Sequence, residues 1–206
     1  MFSHFLQYNY TQPTELRDFP QWHQGIEFYG FWAIELRQQD CLEKIAYYQQ
    51  CLSSKLHPNY LRQAHIKICA SGLLANSFFS RAKLAKQVDH LILNTPSSFI
   101  LELSDGNSFT TSPYLTLNDP DKGLLSLRKQ LNSCIAEDSP CEYIPHVTLG
   151  FYDQAYKTSD IIDMLLPLSS TSIKINVTDI IFARYRTCEI QGPYEVLQRI
   201  SLIKKT

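Results

Sequence analysis

Pro145-His146-Val147-Thr148-Leu149-Gly150 and, about 80 positions earlier, Ala64-His65-Ile66-Lys67-Ile68-Cys69 are short apolar runs with polar residues at alternate places. Successive side chains of a strand point to opposite faces. His65 and Lys67 therefore share one face, with Ile66 and Ile68 behind them. His146 and Thr148 share a face in the same way, backed by Val147 and Leu149. Each run offers an imidazole and a phosphate-capable donor to one side and an apolar anchor to the other.

Working outward, residues 29–36 (Tyr-Gly-Phe-Trp-Ala-Ile-Glu-Leu) read as a strand. A helix over 41–56 follows, with Leu42, Ile45, Ala46, Cys51 and Leu52 as its apolar stripe and Asp40 as N-cap. The turn His57-Pro58-Asn59 leads into a strand at 64–70. A helix at 78–88 and strands at 91–93 and 99–103 come next. The order then restarts with a strand at 114–117, the turn Asn118-Asp119-Pro120-Asp121 and a helix over 122–134. After a loop holding Pro140 come a strand at 146–152, a helix at 159–166 and strands at 173–185 and 194–203. His65 lies 29 positions after Leu36, and His146 lies 29 positions after Leu117. Such a repeat predicts two similar lobes about an approximate twofold axis, each presenting one histidine strand. Residues 1–25, polar and turn-rich, read as an N-terminal arm before a bilobal domain at 26–206.

Two imidazoles suit one kind of chemistry. In-line displacement at phosphorus needs a base to activate water and an acid to protonate the leaving alkoxide. Histidine titrates near neutrality, so a neutral and a protonated ring can coexist. Lys67 and the Thr148 hydroxyl would supply donors to the nonbridging oxygens.

Composition narrows the field. With 44% hydrophobic residues and 19% charged ones, the 206-residue chain has enough apolar material for a packed core. A formal net charge of −1 argues against a protein that coats nucleic acid, which needs a large cationic surplus. No stretch of about 18 apolar residues exists to span a membrane, and residues 1–10 do not read as a secretory leader. The six cysteines, Cys41, Cys51, Cys69, Cys134, Cys141 and Cys188, include no C-x-x-C pair and read as reduced thiols of a cytoplasmic protein. Without C-x-x-C, H-x-H or His-Glu-x-x-His, no metal and no cofactor is expected.

At this point the sequence resembles the two-histidine (2H) phosphoesterases, in their 2′-5′ RNA ligase-like, RNA 2′,3′-cyclic phosphodiesterase branch. The marks are the triplets His65-Ile66-Lys67 and His146-Val147-Thr148, the segment Ser112-Pro113-Tyr114-Leu115-Thr116-Leu117 and the closing Gly192-Pro193-Tyr194-Glu195-Val196-Leu197. The resemblance implies an α+β fold: two pseudo-symmetric lobes of antiparallel sheet with outer helices around a central cleft. It also implies metal-independent opening of a cyclic phosphate, or cleavage of a 2′-5′ linkage, on RNA ends or small oligonucleotides. It assigns His65 as proton donor and His146 as base. Lys67 departs from the pattern, standing where the family has Thr or Ser.

Further substrate-binding candidates are Tyr143 and Phe151, aromatics flanking the second triplet that suit stacking on a base, and Arg186, which alternates with Tyr185 beside Arg184. His4, His23, His57 and His90 read as surface residues. The rival expectations are a nucleotide-binding module silenced by Lys67, a 2′-5′ RNA ligase, or a nuclease acting on cyclic oligonucleotides. A monomer is expected.

Overall fold

The computed structural model describes residues 2–137, 142–169 and 171–204, so Pro140 and Cys141 lie outside the described residues. One sheet contains β1 (Phe28–Glu35), β2 (His65–Leu73), β7 (Asp179–Arg186) and β8 (Tyr194–Ser201). The other contains β3 (Phe99–Ser108), β4 (Pro113–Asn118), β5 (His146–Thr148) and β6 (Ile173–Val177). Their orders are β2-β1-β7-β8 and β5-β4-β3-β6, antiparallel throughout. Each histidine strand is thus the edge of its sheet. Opposite His65 in the ladder stands Glu35, and opposite His146 stands Thr116, each 30 positions earlier. The repeat read from the spacing is a repeat of strand register. The fold is α+β, with two pseudo-symmetric lobes.

The helices α2 (Gln39–Cys51), α3 (Arg81–Leu93), α4 (Gly123–Cys134) and α5 (Thr158–Leu165) cover the outer faces. Two of them cross between lobes. Helix α2 follows β1, yet its Tyr48 donates to Leu168 O in the second lobe and packs over Gly106 of β3. A side chain at Gly106 would meet that ring at 2.8 Å, so the approach requires glycine. Helix α4 follows β4, yet lies on β2, where Arg128 donates to Ile68 O. The crossing merges Trp32, Ile34, Ile66 and Phe182 of the first sheet with Leu101, Leu115, Val147 and Ile175 of the second into one core.

Several sequence expectations need correction. The run 91–93 is the last turn of α3, because Leu91 continues the stripe of Leu84 and Val88 into the core while Ile92 and Leu93 are exposed. The single strand expected at 173–185 is two strands in different sheets. Val177 pairs with Phe99 in the second sheet and Asp179 with Ser201 in the first, so the chain changes lobe at Thr178. The strand at 146–152 stops at Thr148. Asp40 lies inside α2, and its carboxylate accepts from Cys41 N, while Gln38 occupies the cap.

The N-terminal segment docks along the second lobe. Phe2 and Phe5 are buried in the shared core, and the amides of Thr11, Gln12 and Thr14 donate to Tyr156, Thr110 and Tyr152 carbonyls. Apolar anchors at intervals suffice to fix an otherwise polar stretch. His23, expected at the surface, is buried in the one-turn helix α1 (Pro20–His23). No described helix is long and apolar enough to cross a membrane.

Candidate active site

The edge strands β2 and β5 lie side by side, and a cleft of about 270 Å³ opens over them. His65, Lys67, His146 and Thr148 line it together with Arg62, Ser112 and Phe151. Alternation explains the placement: Ile66 and Val147, one residue from each histidine, are sealed in the core.

The two imidazoles are held alike. His65 Nδ1 lies 2.8 Å from Gln63 O, and His146 Nδ1 lies 2.7 Å from Ile144 O. A carbonyl only accepts, so each Nδ1 carries the proton and the neutral ring presents its lone pair at Nε2. Each ring also sits between two aromatics. Phe31 and Tyr194 flank His65, both at 5.3 Å, while Phe109 at 5.0 Å and Tyr114 at 5.3 Å flank His146. The approximate twofold symmetry extends to the environment of the reactive groups.

Burial pushes the His65 imidazole down to about 4, against the pull of its Gln63 carbonyl bond, and Arg62, His146 and Lys67 push the same way. Burial also lowers His146, with Lys67 adding to the effect and the Ile144 carbonyl opposing it. Lys67 thus acts electrostatically on both rings. An unliganded cleft holds two neutral imidazoles near pH 7, and an entering anion would favour protonating one of them.

Of the other expected contacts, Phe151 reaches the cleft, set edge-on to Tyr60 at 5.8 Å. Tyr143 does not line it. Its hydroxyl donates to Lys67 O and its ring lies 4.2 Å under the Arg128 guanidinium, so it ties the approach to β5 onto β2. Arg186 lies on the opposite face of its sheet. It pairs across the ladder with Phe28, one step out of phase with the cleft-facing pair Tyr29 and Tyr185, and its guanidinium meets Glu27 and Glu189.

The cation that sequence reading missed is Arg62. It lies 4.0 Å over the Tyr185 ring and donates to the carbonyls of Gly192 and Glu189. Among the described residues no carboxylate neutralises it, which leaves its charge for an anion in the cleft. Nothing in the local sequence marks this irregular segment, since Tyr185 and Gly192 reach it from more than 120 positions away. Tyr29, Tyr60 and Tyr185 were missed for the same reason. Among the described residues no group of three His, Cys, Asp or Glu side chains could hold a metal ion. A larger cavity of about 680 Å³ lies on the other face of the first sheet, but it is mainly apolar and holds neither histidine.

Comparison with known proteins agrees with this architecture. The profile of the 2′-5′ RNA ligase superfamily matches residues 36–187. Among solved structures, Escherichia coli LigT in apo form shares 19% identity with a TM-score of 0.58, covering 87% of this chain and 99% of LigT. TT0787 of Thermus thermophilus shares 15% identity with a TM-score of 0.60, covering 86% of this chain and all of TT0787. A structure described as a phosphoesterase shares 18% identity with a TM-score of 0.57, covering 85% of this chain and 98% of its own. LigT has also been crystallised with phosphate and with 3′-AMP. No curated protein matches the chain by sequence.

Proposed function

This chain belongs to the 2′-5′ RNA ligase superfamily, and from that premise we propose that it hydrolyses a 2′,3′-cyclic phosphate or a 2′-5′ phosphodiester at an RNA end or in a small oligonucleotide. The observation that carries the reading is the matched pair of imidazoles, each fixed through Nδ1 and lining one cleft beside Lys67, Thr148 and Arg62. In the proposed reaction His146 Nε2 takes a proton from water as it attacks phosphorus, and protonated His65 gives one to the leaving oxygen. Arg62, Lys67 and Thr148 hold the nonbridging oxygens. The LigT complexes with phosphate and 3′-AMP support a small nucleotide anion as ligand. The reading includes a cytoplasmic monomer.

The test is hydrolysis of a 2′,3′-cyclic mononucleotide by purified protein in EDTA. His65→Ala and His146→Ala should each lower kcat by at least about 10²-fold, the scale of one positioned acid or base. Unchanged turnover in either variant would retire the mechanism. Lys67 favours a second reading, a nucleotide-binding module without turnover, because its charge disfavours the protonated acid. Binding of the cyclic nucleotide with no product in wild type, and product restored in Lys67→Thr, would select it. Ligation would appear as a product whose mass contains no added water.

A further inference from the structure

The cleft is small for a ligand site, against a usual range of about 300–1,000 Å³. It suits the reacting phosphate and one nucleoside, so a longer chain must leave along a wall. One wall is aromatic. From His65 the rings run to Phe31 at 5.3 Å, Tyr185 at 5.8 Å, Tyr29 at 5.3 Å and Trp22 at 5.7 Å, with the last two contacts tilted by about 30°. Phe31 is buried, whereas Trp22 at the outer end is 45% exposed.

Trp22 is not a stray surface residue. The turn that carries it is locked by the buried His23, whose Nδ1 accepts from Gly25 N and whose Nε2 therefore donates to Asp18 at 2.8 Å. Gln24 and Gly25 adopt left-handed conformations to close that turn, and Ile26 N donates back to His23 O. A folded device that holds a large apolar ring half in water is out of keeping with core packing. Beside the row stands Arg62, the cation on Tyr185 with no carboxylate partner among the described residues. A row of rings beside an uncompensated cation is what single-stranded nucleic acid binds: bases stack on the rings and phosphates meet the charge. Trp22 and Tyr29 both precede the region matched by the family profile, Trp22 in the N-terminal segment and Tyr29 on β1.

We propose that Trp22 and Tyr29 form an outer stacking subsite for the nucleotide 5′ to the reacting one, which makes the preferred substrate an oligonucleotide of two or more residues. The proposal rests on the nucleotide-hydrolase reading above, and the two can fail separately. The chain has two tryptophans, and Trp32 is fully buried with its indole N–H bonded to Gln87, so ligand-dependent quenching reports Trp22. An RNA trinucleotide ending in a 2′,3′-cyclic phosphate should quench emission, and the corresponding mononucleotide should not. Trp22→Ala should raise KM for the trinucleotide roughly tenfold, the scale of one lost base stack, while kcat/KM for the mononucleotide stays at the wild-type value. Trp22→Phe should retain most of the trinucleotide affinity. Equal losses for both substrates, or none for either, would overturn the subsite. Quenching by the trinucleotide without turnover would retire the hydrolase and keep the subsite; turnover indifferent to length would do the reverse.

Discussion

Burial above all, with the Lys67 charge adding to it, lowers the proton affinity of both imidazoles, so replacing Lys67 should shift the pH range in which the proposed pair acts. An acid–base pair needs one protonated ring, and kcat/KM reports the free protein. With His65 near 4 and His146 below its ordinary 6.5, kcat/KM should fall steadily as pH rises above 6.5. Removing a nearby cation favours protonation, so Lys67→Thr should move the whole profile to higher pH. A bound phosphate anion acts in the same direction, so the kcat profile should lie at higher pH than that of kcat/KM in both proteins. A Lys67→Thr profile unmoved, or displaced to lower pH, contradicts this electrostatic account. At this scale the face shared by His65, Lys67, His146 and Thr148 was legible, because strand alternation is a local rule. The role of Arg62 was not, because its partners Tyr185 and Gly192 are distant in sequence.

The element that fixes the geometry is β2, an edge strand whose free side is satisfied by side chains. Tyr143 donates to Lys67 O, Arg128 to Ile68 O, and Glu137 accepts from Ala70 N while pairing with Arg128. These groups replace a neighbouring strand and meet the backbone's need for partners. The ion pair is largely buried, with 11% and 9% of its side chains exposed. Breaking such a pair leaves a charge without a partner, so Glu137→Ala should cost about 3–5 kcal/mol in denaturant unfolding. Tyr143→Phe removes one hydrogen bond and should cost about 1 kcal/mol. If Glu137→Ala proved as mild as Tyr143→Phe, the pair would not be holding the strand. A second test lies at the start of α4, where a Cβ on Gly123 would run into the Phe99 ring. Gly123→Ala should therefore destabilise the protein despite alanine's better helix propensity. Most elements and their order followed from periodicity, but the strand expected at 91–93 is helix and the division of 173–185 was not foreseen. Both halves of that run are apolar and strand-like, and only their partners Phe99 and Ser201 separate them.

Across the whole molecule, one apolar core joins both sheets, because α2 and α4 each pack on the lobe opposite their preceding strand. The lobes should therefore unfold together. Tryptophan emission, dominated by changes around Trp32 in the first sheet, and far-ultraviolet circular dichroism should give coincident transitions. Two separated transitions would mean the lobes are independent. A ligand in the cleft touches both histidine strands and should stabilise that single unit. A nucleotide at 100 times its Kd contributes about 2.7 kcal/mol, a rise in Tm of roughly 5–10 °C for a protein of this size. His65→Ala and His146→Ala should each reduce the rise, measured by scanning calorimetry.

The sequence by itself determined which residues form strands and helices over most of the chain, that the chain repeats, and which side chains share a face with each histidine. Those properties depend on neighbours one to four positions apart, and both the 2.0 and 3.6 periodicities are visible in a linear string. Tertiary structure alone decided that Arg62 enters the cleft and Arg186 leaves it, that Tyr143 is a tie between strands, and that the N-terminal segment brings Trp22 alongside Tyr29. Each of these outcomes turns on contacts between groups far apart along the chain, brought together by burial of apolar surface that no local pattern encodes.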